Sequence, residues 1–138
     1  MKVLIIGGVA GGASTATRLR RMDEKAEIVL IERGEHISFA NCGLPYHIGH
    51  VIEDREKLLV VTPAKLRETF NIDARVRHEA LSIDRTKKEV AIRELATGRE
   101  YRESYDKLVL SPGASPIVPP IEGVSLPGVY TLRSLTDM

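Results

Sequence analysis

The chain of 138 residues is poor in aromatic residues and has a single cysteine. It contains four tyrosines, two phenylalanines and no tryptophan, so its core must be built from Leu, Ile, Val and Ala. The lone Cys42 excludes an intrachain disulfide and also a two-thiol redox pair within this chain. Any thiol chemistry must therefore use one sulfur atom.

The sequence also lacks a long apolar run and an excess of charge of either sign. Its longest apolar run begins at Val3 and is far short of the ~20 residues that a membrane-spanning helix needs. Lys2 alone does not make the basic start of a signal peptide. The formal net charge is +1 and the basic residues are scattered, which argues against nucleic acid or a membrane as partner. With 28% charged residues, we expect one ordinary soluble domain located in the cytoplasm.

The first 33 residues have the pattern of a β-strand, α-helix, β-strand unit. The apolar runs Val3–Ile6 and Ile28–Ile31 lack the polar alternation of half-exposed strands, as is typical of strands buried in a parallel sheet. A helix is predicted between them over Gly11–Met22, with small residues that allow close packing on the sheet.

The remaining elements are predicted to be short. Thr62 and Pro63 begin a short helix that Asn71 ends. Apolar stretches between residues 72 and 104 predict a small antiparallel meander, and Leu108–Leu110 predicts a strand that returns to the parallel sheet. We divide the chain into a domain over residues 1–113 and a Pro- and Gly-rich linker over 114–138.

A glycine-rich turn joins the first strand to the first helix. Gly7 and Gly12 occupy the first and last places of G-x-G-x-x-G, and Val9 stands in the middle place. Such a turn offers backbone N–H groups and a helix N-terminus to a diphosphate. Glu32 ends the second strand 20 residues after Gly12, where a carboxylate can bind ribose hydroxyls. The alternatives are a turn needed only for packing and a solvated carboxylate.

Cys42 lies in an irregular segment between Ser38 and Tyr46. We interpret Asn41 as an N-cap and Pro45 as a first-turn residue, which places the thiol at the start of a short helix. Unpaired N–H groups there favour the thiolate, and Gly43 leaves room for a partner beside the sulfur. The alternative is a small buried hydrophobic residue.

Neither a metal site nor a role for the basic residues of the first helix follows from the residues alone. A structural zinc site needs four ligands, and no second cysteine is available. Cys42 would have to bind zinc together with His36, His47 and His50, so no metal is predicted. The arginines of the first helix form a solvated face unless a substrate carries phosphates. They are Arg18, Arg20 and Arg21.

Three segments resemble the single-cysteine pyridine nucleotide-disulfide oxidoreductases, and most closely the coenzyme A-disulfide reductases with their rhodanese-fused persulfide reductases. The segments are Lys2–Ala13, Ser38–Gly49 and Tyr105–Ala114. The resemblance implies an α/β, three-layer, Rossmann-like FAD-binding fold of the GR2 type with a small antiparallel β-meander, incomplete relative to the family.

The resemblance also implies which residues hold FAD. Gly7, Gly8, Ala10, Gly11 and Gly12 would hold the diphosphate, Glu32, Arg33 and the backbone of Val76 the adenosine, and Asn41, Ser111, Pro112, Gly113 and Arg133 the flavin. Residues at positions that contact coenzyme A are Ser14, Arg18, Arg21, Ser38 and Asn41.

The implied reaction passes electrons from NAD(P)H through FAD to Cys42. Cys42 would attack a CoA disulfide, CoA persulfide or polysulfide, forming a Cys–S–S–CoA mixed disulfide that the reduced flavin resolves. One alternative is an NADH oxidase or peroxidase that uses a Cys42 sulfenic acid. An alternative of another class is a non-catalytic, truncated nucleotide-binding module with an inert cysteine.

The resemblance further implies segments that these 138 residues do not contain. Family enzymes continue with an NAD(P)-binding domain, a second FAD segment and a dimerisation domain, and they act as homodimers. We therefore expect this chain to be the N-terminal FAD-binding segment of a longer enzyme, inactive by itself.

Overall fold

The computed structural model describes residues 1–138. The strands are β1 (Lys2–Ile6), β2 (Glu27–Glu32), β3 (Asp73–Val76), β4 (His78–Asp84), β5 (Glu89–Glu94), β6 (Glu100–Ser104) and β7 (Lys107–Leu110). The α-helices are α1 (Gly11–Met22), α2 (Leu44–Ile48) and α3 (Pro63–Phe70). Short 3-10 turns span Asn41–Gly43, Arg55–Leu58 and Leu135–Asp137. None of the helices is both long and apolar enough to cross a membrane.

The chain folds into two compact units. The first unit comprises residues 1–39 and 59–112, and the second comprises residues 40–58 and 113–138. The second unit resumes one residue before the boundary predicted between residues 113 and 114. Residues 111–133 contain no helix or strand, and the role of residues 114–138 as a linker stays a prediction.

A four-stranded parallel sheet in the order β3-β2-β1-β7 forms the centre of the first unit. The register pairs Val3 with both Ile28 and Lys107, so β1 lies between β2 and β7. Strands buried on both faces need apolar side chains at every position, and Val3, Leu4 and Ile5 are each at most 3% exposed. The predicted β1-α1-β2 unit and the return of Leu108–Leu110 to the sheet are confirmed.

Apolar side chains cover the two faces of the sheet with different elements. On one face Ile5 and Leu30 pack with Ala16 of α1 and Leu66 of α3. On the other face Leu4, Val29 and Ile31 pack with Val90 and Ile92 of β5. Helices, parallel sheet and antiparallel meander thus make three layers, as the Rossmann-like fold class predicted.

The antiparallel meander was predicted over residues 72–104, and its predicted start was wrong. Residues Ala74–Val76 belong to β3, which pairs in parallel with β2, and the antiparallel sheet is β4-β5-β6. All four residues of β3 are half-buried because the strand lies at the edge of the sheet. So short a strand carries neither the alternation nor the continuous apolar run that distinguishes the two sheet types.

A charged cluster joins the meander to the parallel sheet. Glu103 of β6 accepts hydrogen bonds from Arg75 of β3 and from Lys2 of β1, each at 2.5 Å. Burial alone would raise the pKa of Glu103, but the hydrogen bonds from Lys2 and Arg75 hold that pKa below its usual value. The same hydrogen bond to Glu103 is the largest effect on Lys2 and raises the pKa of its ammonium.

Helix α3 has the termini that the sequence predicts. The Thr62 hydroxyl accepts a hydrogen bond from the Lys65 N–H at 3.2 Å, and Pro63 follows in the first turn. Asn71 ends the helix in the left-handed conformation with φ of 47°. Both predicted boundaries of this helix are confirmed.

Arg20 ties the end of α1 to the end of α3. Its Nε donates to the Phe70 carbonyl at 2.8 Å, and its two terminal nitrogens donate to the carbonyls of Asp23, Glu24, Ala26 and Asn71. The planar fork of a guanidinium can satisfy several carbonyls at once. The interpretation of Arg20 as part of a solvated face was therefore wrong, whereas Arg18 and Arg21 are exposed.

We expect Arg20→Leu to lower the free energy of unfolding by about 2–3 kcal/mol, because five carbonyl groups lose their donor. Arg18→Leu and Arg21→Leu are matched controls on the same helix, with an expected change within about 0.5 kcal/mol. Urea unfolding followed by circular dichroism measures the three differences. Equal losses in all three variants would contradict the role assigned to Arg20.

Candidate functional site

The turn between β1 and α1 leaves no room for side chains at Gly7 and Gly12. Gly7 has φ of +94°, and a Cβ there would overlap the carbonyl oxygen of Ser111. A Cβ on Gly12 would overlap the carbonyl oxygen of Gly7. The Gly7 N–H donates to the Ile31 carbonyl at 2.8 Å, and the Ser111 N–H donates to the Ile6 carbonyl at 2.7 Å. These contacts hold the ends of β1, β2 and β7 together around the turn.

Helix α1 begins at this turn without a cap. Ala10 is its N-cap residue, no side chain caps the helix, and no acidic residue lies in its first turn. Gly11 is exposed, and a Cβ there would come 3.2 Å from the Ser111 hydroxyl oxygen. The first N–H groups of a helix lack partners within the helix and carry its positive dipole end. The turn therefore has the chemistry of an anion site.

Glu32 connects the end of β2 to the glycine turn. Its Oε2 accepts a hydrogen bond from the Gly8 N–H and its Oε1 accepts one from the Gly34 N–H, both at 2.7 Å. Each carboxylate oxygen keeps a second lone pair that can accept from a hydroxyl. The side chain of the neighbouring Arg33 is 71% exposed, and its Nη1 lies 3.7 Å from the Glu79 Oε1.

The three residues predicted at the adenosine lie together at the ends of β2 and β3. Val76 is the register partner of Glu32, and Arg33 follows Glu32 in the chain. Gly34 and Arg77 extend this arrangement, since the Arg77 N–H donates to the Gly34 carbonyl at 2.9 Å. The sequence analysis missed Gly34 and Arg77. They take part through backbone hydrogen bonds, and the one between them joins segments that are distant in the sequence.

Ser38 lies beside the same turn, and α1 leads away from the turn with one exposed polar face. The Ser38 N–H donates to the Gly8 carbonyl at 3.0 Å, and Ser38 adopts the left-handed region with φ of 46°. Ser14, Arg18 and Arg21 are exposed and follow the helical spacing that brings residues to one face. No polar side chain of this face is buried in the fold.

Cys42 lies in the second unit, in the 3-10 turn Asn41–Gly43, and its thiol is free and exposed. The prediction that Asn41 is the N-cap of a helix was wrong, because Ala40 precedes the turn and α2 begins only at Leu44. Pro45 does lie in the first turn of α2, as predicted. The alternative of a buried, inert cysteine does not agree with this exposure.

Gly43 has a packing role in the second unit. It is buried, and a Cβ there would overlap the side chain of Leu58, so its small size serves this close approach rather than space beside the sulfur. Leu44, Leu58 and Leu135 are the buried apolar residues of the second unit, each at most 3% exposed.

Asn41, Gly113 and Arg133 come together in the second unit. The Asn41 side-chain amide donates to the Arg133 carbonyl at 3.4 Å. The Arg133 Nε donates to the Ala114 carbonyl at 3.0 Å, and Gly113, with φ of +75°, lies against the Arg133 guanidinium. The chain contains no group of three or more His, Cys, Asp or Glu side chains placed to hold a metal.

The β1-α1 turn is glycine-rich and uncapped, and an acidic residue ends the next strand. This arrangement is typical of dinucleotide-binding α/β proteins. Residues 1–138 match the family model of pyridine nucleotide-disulphide oxidoreductases. The chain therefore belongs to the pyridine nucleotide-disulphide oxidoreductase family.

The chain is similar over nearly its whole length to individual proteins of known structure or curated sequence. The chain is 41% identical to the coenzyme A disulfide reductase of Staphylococcus aureus strain JH9 over 136 residues, which is 99% of the chain and 30% of the relative. It is 52% identical to the reduced Bacillus anthracis CoADR-RHD, with a TM-score of 0.93, covering 99% of the chain and 25% of that protein. It is 39% identical to a NAD-dependent persulfide reductase from A. fulgidus, with a TM-score of 0.92 and coverages of 99% and 25%. The chain thus spans about 30% of the length of the curated relative.

We expect Gly7→Ala to cost about 3 kcal/mol or more of unfolding free energy and to abolish any binding of a dinucleotide at this turn, because main chain must shift to admit the Cβ. Gly98→Ala is a matched control with φ of +74° and nothing within 4 Å of its added Cβ. Its expected cost is about 1 kcal/mol of backbone strain. Thermal unfolding and FAD titration of both variants check this, and equal effects would contradict the packing role of Gly7.

Proposed function

We propose that the chain is the flavin- and thiol-bearing segment of an NAD(P)H-dependent CoA-disulfide or CoA-persulfide oxidoreductase. The observation that carries the proposal is an exposed single cysteine in a chain whose uncapped glycine turn suits a dinucleotide. The names of the relatives with 41% and 39% identity favour a CoA disulfide or a persulfide as substrate. A cytoplasmic location and a homodimeric whole enzyme are parts of the same proposal.

The residues of the first unit suit the diphosphate and adenosine of FAD. The N–H groups at the start of α1 would bind the diphosphate, with Gly7, Gly8, Ala10, Gly11 and Gly12 as the turn. Glu32, already oriented by two backbone N–H groups, would accept from ribose hydroxyls. Arg33 and the backbone of Val76 would contact the adenine end, and Ser111 and Pro112 would line the flavin.

The residues of the second unit suit the flavin end and the thiol chemistry. Asn41, Gly113 and Arg133 would position the flavin ring, and their mutual contacts support a common role. Bound FAD would supply the electron pair, taken from NAD(P)H, that returns Cys42 to its thiolate.

The step that this chain's own residues perform is a thiol–disulfide exchange. The Cys42 thiolate attacks one sulfur of a CoA disulfide, a new S–S bond forms to that sulfur, and the other CoA leaves as a thiolate. The exposure of Cys42 gives a bulky disulfide access to the sulfur.

Recognition of the substrate would depend on its phosphates. Arg18 and Arg21 are exposed on one face of α1 and have the charge that phosphate groups require. Ser14, Ser38 and Asn41 would add hydrogen bonds to the same ligand. A substrate without phosphates gains nothing from the two arginines, which is a basis for selecting CoA over other disulfides.

We expect the reduced chain, incubated with CoA disulfide, to gain one CoA through a disulfide that dithiothreitol removes. Denaturing mass spectrometry measures the adduct, and Cys42→Ser, which has no thiol, should form none. A second control combines Cys42→Ser with Ser104→Cys and so places an exposed thiol on β6. CoA disulfide should react faster with the chain than with this control. A small uncharged disulfide should react with the two proteins at similar rates.

The combined substitution Arg18→Ala and Arg21→Ala should remove that preference without slowing the small disulfide. Equal rates for the chain and the Ser104→Cys control with CoA disulfide would contradict the proposal. A stable sulfenic acid formed with peroxide, in place of a CoA adduct, would favour the oxidase or peroxidase alternative. A thiol inert to both reagents would favour a binding module.

A further inference from the structure

His78, the first residue of β4, holds the carbonyl of the last residue of β3. Its Nδ1 lies 2.7 Å from the Val76 carbonyl oxygen. A carbonyl oxygen can only accept, so the Nδ1 carries the proton and donates it. Arg77 between the two residues has φ of 58°, which turns the chain so that the imidazole reaches back.

The meander restrains the His78 ring. The ring meets the Tyr101 ring of β6 edge-on, with centroids 5.9 Å apart and an interplanar angle of 75°. The Tyr101 hydroxyl in turn accepts a hydrogen bond from Arg75 of β3 at 3.1 Å. The imidazole is thus held by packing as well as by its hydrogen bond, and the Val76 carbonyl keeps one lone pair for another donor.

The position of Val76 in the sheet points to that donor. Adjacent parallel strands β1, β2 and β3 end at the glycine turn, Glu32 and Val76 respectively. If the diphosphate of a dinucleotide lies at the end of β1 and its ribose at the end of β2, then its base lies at the end of β3. Backbone bonds from Glu32 through Gly34 to Arg77 join the second and third ends.

We propose that His78 is a positioning residue that orients the Val76 carbonyl to accept a hydrogen bond from the 6-amino group of the FAD adenine. This inference rests on the proposed FAD site, and it adds a residue of the meander as a determinant of base specificity. The partner of His78 is a main-chain carbonyl, so its effect on the base passes through Val76.

A pair of substitutions separates the hydrogen bond from the packing of the ring. His78→Phe keeps an aromatic ring against Tyr101 and removes the donor, whereas His78→Asn places an amide N–H near the position of Nδ1 and removes the ring. The dissociation constants of FAD and of deaminated FAD, whose adenine 6-amino group is a carbonyl oxygen, are measured for the 138-residue chain and both variants by fluorescence titration.

We expect the chain to prefer FAD over deaminated FAD by about fivefold, the value of one hydrogen bond. His78→Phe should bring this ratio close to one, and His78→Asn should restore it. If His78→Phe weakens both ligands equally, or if the ratio is unchanged, the positioning role is overturned and the residue is only structural. If the unsubstituted chain binds neither ligand, the proposed FAD site fails and the inference fails with it.

Discussion

The close approach of main chain around Gly7 fixes how the glycine turn, α1 and β7 fit together in the first unit. The turn, the start of α1 and the end of β7 meet there with no space for a Cβ at Gly7 or Gly12. This contact sets the distance of α1 from the sheet, and it directs the uncapped N–H groups of the helix to the edge where the parallel strands end. The arrangement of these N–H groups is therefore set by packing before any ligand binds.

Hydrogen bonds from the protein itself hold two half-buried carboxylates of the sheet layers, Glu32 and Glu103. Glu32 accepts from backbone N–H groups on both of its oxygens, so the carboxylate is oriented at little entropic cost to binding. On the far side of the sheet, Glu103 binds Lys2 and Arg75 and so holds the meander to β1 and β3. Because that hydrogen bonding lowers the pKa of Glu103, its contribution to stability is present at neutral pH and is lost as the pH falls through the lowered value.

Elements with strong local signals could be predicted from the sequence, and elements defined by distant partners could not. The runs Val3–Ile6 and Ile28–Ile31 are apolar at every position, and Thr62 with Pro63 marks the start of α3, so these predictions are confirmed. Residues Ala74–Val76 were assigned to the wrong sheet because pairing with β2 leaves no mark on a half-buried edge strand. Arg20 was misjudged for a similar reason, since two of its carbonyl partners lie about fifty residues away.

Some features of the candidate site could also be predicted from local spacing, and others could not. The glycine turn and Glu32 follow from spacing, because the β-α-β connection itself brings them to one edge. The conformation around Cys42 did not follow from spacing: Asn41 is a turn residue whose side chain donates to the Arg133 carbonyl, and no local pattern predicts that contact. The roles of the remaining site residues come from resemblance to the family and stay proposals.

We propose that FAD binds along the ends of β1, β2 and β3, and hydrogen–deuterium exchange of the chain with and without FAD would show whether it does. We expect FAD to slow exchange in residues 8–14, 32–34 and 76–78, and to leave β5 and β6 unchanged. Protection confined to other segments, or no protection at saturating FAD, would contradict the claim.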